Sequence, residues 1–353
     1  MKRYLRLIPT FGLGIMFILG IVLYGSSGTN GSKNNAINWD IDYHQLYVVG
    51  DSLSDSGALV GAGSQLLKLL GQNHGLTLAA PFYQNRSFSN GAVAVEVLAK
   101  NLNLTLKPAW DFDFNKQNLQ QTGTNYAVAG ATALELDSLQ GKMLLNHFTI
   151  NRQVDALLKQ HQVQDDDLIV FEIGSNDLMS QVLNASTTDQ AQIIKNLISS
   201  QEQALEKLLV NGSKHILVMN SPDLSRTPNY FDDKIAHKVS VIYNQSWNLM
   251  INKLQAKYPH SLKAFDLYHQ FYQLLSDFRE QGVDILQTAI TWKFDFNVLL
   301  TKGIINSQWN AAHNQTMIDQ YFFFDFLHPT AKVHQAVGDM LYHFVKSSNT
   351  WWY

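Results

Sequence analysis

Four short apolar runs do most to limit what this chain can become: Gln45–Val49, Leu168–Ile173, His215–Asn220 and Leu262–Asp266. They are rich in β-branched or large aliphatic side chains, and turn residues bound them. Because they are nearly continuous rather than alternating, they read as strands covered on both faces, as in a parallel sheet between helical layers. The intervals between them carry a different period. Helical spacing marks Ala92–Asn101, Ile150–His161, Asp189–Val210, Lys234–Lys257 and Ala331–Val345. In the third of these, Ile193, Ile194, Leu197, Ile198, Leu205, Leu208 and Leu209 form one apolar stripe among Gln, Lys and Glu. Strands and helices in alternation predict an α/β fold, a three-layer α/β/α sandwich with a mainly parallel central sheet.

The folded domain is expected over 43–346, after a polar linker at 30–42 and before a C-terminal tail at 347–353. Residues 1–29 have another character. Lys2, Arg3 and Arg6 precede an apolar run, Leu7–Tyr24, and small polar residues follow at Gly25–Thr29. This is the layout of a Sec signal peptide cleaved near Ser27, which predicts a periplasmic or secreted protein. The run is also close to bilayer-spanning length, so an uncleaved anchor is the second reading, although Pro9, Gly12, Gly14 and Gly20 weaken it as a helix. The absence of cysteine excludes disulfides, thiolate metal sites, a cysteine nucleophile and a lipid-modified cysteine. A net charge of −3 offers no basic footprint for nucleic acid.

Chemistry concentrates at a few turns. The strand ending Tyr47-Val48-Val49 runs into Gly50-Asp51-Ser52-Leu53-Ser54-Asp55-Ser56-Gly57. In an open parallel sheet, reactive groups collect at the carboxyl ends of strands, where Ser52 would stand, with a helix N-terminus soon after to favour negative charge. A serine needs a base, and the base needs an orienting acid. Asp325-Phe326-Leu327-His328 has both at an offset of one turn, and Pro329 directs the backbone onward. Acyl transfer also needs oxyanion donors. Candidates are the amides of Ser52 and Gly91, in Ser89-Asn90-Gly91, and the side chain of Asn176, in Gly174-Ser175-Asn176-Asp177. Each segment alone is also an ordinary turn. Asp51 and Asp177 read as loop-holding acids, and Asp165–Asp167 as a solvated helix-to-strand turn. His260, His269, His334 and His343 read as surface residues of helices.

Taken in order, Gly-Asp-Ser-Leu, Ser-Asn-Gly, Gly-x-Asn-Asp and Asp-x-x-His resemble the blocks of the SGNH or GDSL hydrolase family, matching Ser52, Gly91, Asn176 and His328. Asn125–Ala131 and Ser221–Pro228 resemble its bacterial phospholipase and plant lipase branch, and the resemblance extends over about 45 to 346. It implies a flavodoxin-like sandwich, a Ser52–His328–Asp325 triad, no cofactor and no metal. It also implies an ester substrate, most often a phospholipid, lysophospholipid or other long-chain acyl ester, with peripheral membrane contact. A carbohydrate O-acetyl esterase is the second reading, and a lipid- or partner-binding envelope protein without activity the third. The α/β-hydrolase elbow Gly-x-Ser-x-Gly and the metal motif His-Glu-x-x-His do not occur. Gly282–Tyr321, with Trp292, Phe294, Phe296 and Trp309, reads as a loop-rich excursion that packs aromatics on the core and shapes access to the site.

Overall fold

The computed structural model describes residues 37–109, 123–310 and 315–352; the expected leader and the first part of the linker, through residue 36, lie outside them. The four apolar runs form β1 (Leu46–Gly50), β2 (Leu168–Glu172), β3 (His215–Met219) and β4 (Leu262–Phe265), all parallel and side by side in chain order. Every residue in them is buried, which is why the runs do not alternate. Val48, Val170, Leu217 and Phe265 point to one face, where Leu98 and Phe344 of helices Ala94–Asn101 and Ala331–Lys346 pack. Val49, Phe171, Val218 and Ala264 point to the other, against Val154, Leu205 and Trp247 of helices Ile150–Gln160, Thr187–Val210 and Lys234–Lys257. The expected three layers are present.

On the outer side of β1 the chain runs parallel to it once more. Val48 N donates to Thr124 O at 3.0 Å, Tyr126 N to Val48 O at 2.7 Å and Val128 N to Gly50 O at 3.2 Å. The chain thus leaves β1, returns on one side of it, then crosses to the other side for β2. The order reverses there, and ligands of open parallel sheets bind outside the carboxyl ends at such a point.

Several segments depart from the expectation. Within the C-terminal tail, the described residues 347–352 join the fold. β5 (Trp351–Trp352) extends the sheet parallel to β4, with Trp351 opposite Ala264. Trp351 lies edge-on to Trp247 with ring centroids 6.4 Å apart, and its Nε1 donates to Gln255 Oε1 at 3.0 Å. A pair of residues has no period to read, so only the pairing reveals the strand. At the other end, Trp39 of the expected linker is buried and donates to His260 O at 2.8 Å, so packing begins before Tyr43. Asp167 is buried rather than solvated: Oδ1 lies 3.2 Å from His44 Nδ1, and Oδ2 accepts from Gln164 N at 2.7 Å.

The described parts of the region from Gly282 to Tyr321, which leave out 311–314, contain paired strands where a loop was expected. Asp284–Thr288 pairs with Tyr321–Phe323, Ile290–Trp292 pairs with Ser307–Trp309, and Ile304–Ile305 pairs with Thr77–Leu78. Helices Ala58–Leu69 and Leu267–Glu280 are also additions. Among the described residues no helix is long and apolar enough to cross a membrane. Because Trp351 anchors the edge strand while lying apart from Ser52, Trp351→Ala should lower unfolding free energy by about 1–2 kcal/mol, measured by denaturant titration, with kcat/KM unchanged.

Candidate active site

Three loops meet at the carboxyl edge of the sheet, and each is held by its own sequence. The first leaves β1 at Gly50. A Cβ on Gly50 would lie 2.5 Å from Glu172 O, so β2 can approach only a glycine here. Gln153 clamps the same residue, accepting from Gly50 N at 2.8 Å and donating to Gly50 O at 2.9 Å. Asp51 Oδ1 then accepts from Leu53 N at 3.1 Å, turning the chain so that Ser52 stands at the edge. Asp55 accepts from Gly57 N and Ala58 N, both at 2.6 Å, and from Ala129 N at 2.8 Å. The first amides of the helix that starts at Ala58 are thus taken up by Asp55, where the sequence suggested they would favour negative charge near the Ser52 amide. Asn125 Nδ2 closes the loop, donating to Ser54 O at 2.8 Å and Ser56 Oγ at 2.9 Å.

The second loop follows β2. Gly174 has φ 130°, and a Cβ there would lie 2.6 Å from Tyr243 Oη. Asp177, fully buried, accepts from Ala133 N and Leu134 N, both at 2.9 Å, the loop-holding role its position suggests. Burial pushes its carboxyl up to about 7 despite those donors. Asn176 is then set beside Ser52, and its Nδ2 donates one hydrogen to Ala131 O at 2.9 Å.

The third loop turns back tightly after Tyr321–Phe323: Phe324 N donates to His328 O at 2.8 Å and Thr330 N to Phe322 O at 2.8 Å. Inside the turn, Asp325 Oδ1 accepts from Leu327 N at 2.8 Å and His328 N at 2.7 Å. His328 Nδ1 lies 2.8 Å from Asp325 Oδ2, and His328 Nε2 lies 2.8 Å from Ser52 Oγ, across 276 positions of sequence. Burial works to raise the Asp325 carboxyl, but His328 and the two amides outweigh it and hold it below the usual aspartate range. An ionised Asp325 only accepts, so Nδ1 carries the hydrogen and Nε2 is left to accept from the Ser52 hydroxyl. Phe88 covers the imidazole with ring centroids 5.1 Å apart. Gly91 is buried against Ala331, where a Cβ would meet the Ala331 Cβ at 2.5 Å, and Asn90 Oδ1 accepts from Ala331 N at 2.8 Å. That contact places Gly91 beside the His328 loop.

Three further residues belong to the site and were not legible as such. Trp292 Nε1 donates to Asp325 Oδ2 at 2.7 Å, so the excursion supplies a direct partner of the acid. Its tryptophan was the only signal. Glu172 sits opposite Gly50 in the β1–β2 register, and its Oε2 and Asp51 Oδ2 are both buried without a donor from the protein. Burial, reinforced by Asp51, raises the Glu172 carboxyl well above its ordinary value, while burial brings Asp51 to about 6. Glu172 therefore holds its proton more tightly beside Asp51 than it would alone. His334 is buried, not a surface residue; its Nδ1 accepts from Ala94 N at 3.2 Å and burial lowers its pKa to about 3. His269 and His343 are exposed on helices, and His260 is exposed just beyond one.

A serine hydroxyl, an imidazole and a buried carboxylate in one hydrogen-bonded line at the ends of parallel strands make this a serine hydrolase, a class defined by geometry rather than chain order. A family model described as GDSL-like lipase/acylhydrolase matches residues 46–341, and the chain belongs to that family. It is 25% identical to a phosphatidylcholine-sterol acyltransferase of Aeromonas hydrophila, over 86% of this chain and 91% of that one. It is 26% identical to the secreted effector protein SseJ of Salmonella typhimurium, over 86% of this chain and 64% of that one. A GDSL esterase/lipase of Arabidopsis thaliana is 23% identical over 95% of this chain and 96% of its own length.

Two consequences can be measured. Trp292→Phe removes a hydrogen bond to a charged group, of about 1.5 kcal/mol, and should cut kcat/KM for a nitrophenyl ester about tenfold with fold and melting temperature little changed. Glu172 has a raised value in the folded state, so stability tied to it is full in acid and is lost as pH rises through that value. Glu172→Gln removes this dependence. Its melting temperature should fall less steeply with rising pH than that of the wild type, as followed by circular dichroism.

Proposed function

We propose that this protein hydrolyses carboxylic esters of lipids through an acyl-enzyme on Ser52, with His328 as general base and Asp325 as its orienting acid. The observation that carries the reading is the 2.8 Å contact between Ser52 Oγ and the one histidine nitrogen that Asp325 leaves free to accept. As Oγ adds to the ester carbonyl, its proton passes to His328 Nε2. The oxyanion is held by the amides of Ser52 and Gly91 and by the second Nδ2 hydrogen of Asn176. Collapse breaks the bond to the alcohol oxygen, which takes the proton from His328. Water then repeats the sequence and releases the acid.

The lipid reading draws on the rim of the site. Phe294 lines the outer approach and is 46% exposed; Leu139 and Phe231, exposed as well, adjoin the lining residues Gln140 and Tyr230. Exposed apolar groups around a catalytic opening suit transient contact with a lipid surface. The names of the relatives, an acyltransferase acting on phosphatidylcholine and sterol among them, support the same substrate class. They also favour a second reaction in which a lipid alcohol takes the place of water. Export across a membrane is part of the proposal, on the strength of the basic and apolar leader Met1–Thr29.

A fluorophosphonate probe should label the purified protein, and Ser52→Ala should abolish both labelling and ester hydrolysis, the latter by at least about a thousandfold. Ester hydrolysis that survives in Ser52→Ala would sink the assignment. Failure of the wild type to release fatty acid from phospholipid or lysophospholipid vesicles would remove the lipid substrate while leaving the esterase.

A further inference from the structure

Two helices that follow loops of the site begin without a side-chain cap of their own. Ala94–Asn101 comes after the Gly91 loop, and Ala331–Lys346 after the His328 loop. The first amides of a helix have no partner within it, and the side chain just before it commonly supplies one. Val93 has no acceptor to offer, and the Thr330 hydroxyl caps nothing but donates to Tyr321 O at 3.0 Å. Each helix is capped instead from the other's segment. Ala331 N donates to Asn90 Oδ1 at 2.8 Å, across 241 positions, and Ala94 N donates to His334 Nδ1 at 3.2 Å, across 240. Ser89 Oγ adds a bond to Pro329 O at 3.0 Å, and farther along the two helices Asn101 Nδ2 donates to Asp339 Oδ1 at 2.8 Å.

We infer that Asn90 and His334 are positioning residues, a reciprocal pair of caps that fixes the Gly91 amide relative to the His328 imidazole. This role rests on the Ser52 esterase reading and adds to it how an oxyanion donor and a base, on loops remote in sequence, are kept in step. Both act through the backbone amides they hold. The transition state needs the two loops in place at once, because the oxyanion forms as the Ser52 proton passes to His328 Nε2. A misplacement of about 1 Å there can cost about a hundredfold in rate while the substrate still binds.

The chemistry of the two acceptors suits this role. A backbone amide only donates, so His334 Nδ1 turns a lone pair to Ala94 and the ring hydrogen sits on Nε2. A protonated ring would have no acceptor left. Burial, with His328 close by, keeps the imidazole neutral and the cap intact. On the other side, Gly91 lies so close to Ala331 that a Cβ would come within 2.5 Å of the Ala331 Cβ, which leaves the joint little slack. All three residues of Ser89-Asn90-Gly91 thus meet the segment that follows His328, although only Gly91 has a part in the chemistry.

The experiment measures kcat, KM and melting temperature, with nitrophenyl acetate as substrate, for the wild type and five variants. Asn90→Ala and His334→Leu each remove an acceptor, Asn90→Asp and His334→Asn each keep an oxygen where the acceptor stood, and the fifth combines Asn90→Ala with His334→Leu. In each acceptor-free variant kcat should fall about tenfold with KM changed by less than about twofold. Asn90→Asp and His334→Asn should return kcat to within about threefold of the wild type. The double variant should lose little more than the worse single one, since either loss opens the same joint. Removal of a cap should also lower the melting temperature by about 2–3 °C. Caps that serve the fold alone would show that lower melting temperature with kcat unchanged, and this result overturns the positioning role. A loss of kcat that neither Asn90→Asp nor His334→Asn restores overturns it as well. The two caps are tested separately, so a variant that does not fold leaves the other to decide. Absence of any Ser52-dependent ester hydrolysis in the wild type overturns the esterase reading, and the positioning role with it.

Discussion

β1 and β2 approach each other at Gly50 so closely that a single methyl group would sit 2.5 Å from Glu172 O. The rest of the site depends on this contact. It makes the loops that follow the two strands leave the sheet side by side, so Ser52 and Asn176 line the same cavities. Gln153 reinforces it by bonding both backbone atoms of Gly50. The third loop is carried separately, on Tyr321–Phe323 and the helix Ala331–Lys346. That helix packs on Ala94–Asn101 through Gly338, where a Cβ would meet Val97 at 2.5 Å. Close approach at two glycines, far apart in sequence, thus aims His328 at Ser52.

Burial then decides where protons reside. Asp325 is as inaccessible as Asp51 and Asp177, yet its carboxyl lies below its ordinary value while theirs lie above. The difference is a partner able to carry positive charge. His328 stabilises the ionised Asp325, and Trp292 adds a neutral donor. Asp51 has Leu53 N on one oxygen and no donor on the other, and the pull of His328 on it is too weak to offset burial. Low dielectric magnifies both outcomes. Ser52, Asp51 and Glu172 all lie at the carboxyl ends of β1 and β2, and the separately carried third loop brings His328 to them.

Much of the molecule is legible in its sequence. Long runs with a clear period, such as the Thr187–Val210 helix and the β2 strand, declared themselves, because burial on one face or on both imposes that period. Short elements did not. Trp351–Trp352, Ile304–Ile305 and Ile290–Trp292 contain too few residues for a period, and their identity lies in what they pair with. His334 shows the same limit in a side chain. Its helical setting suggested an exposed residue, but the contact with Ala94 that buries it joins positions 240 apart.

By itself, the sequence determined the layers of the fold and the set of reacting groups. Buried parallel strands and amphipathic helices are local patterns, and Asp325 and His328 lie within one turn of each other. Tertiary structure alone decided that His328 Nε2 meets Ser52 Oγ, that Trp292 holds the acid and that Glu172 shares the floor with Asp51. The physical reason is that each of these is a distance between segments remote in the chain. Packing of the sheet and its helices sets such distances, and no local pattern of residues encodes them.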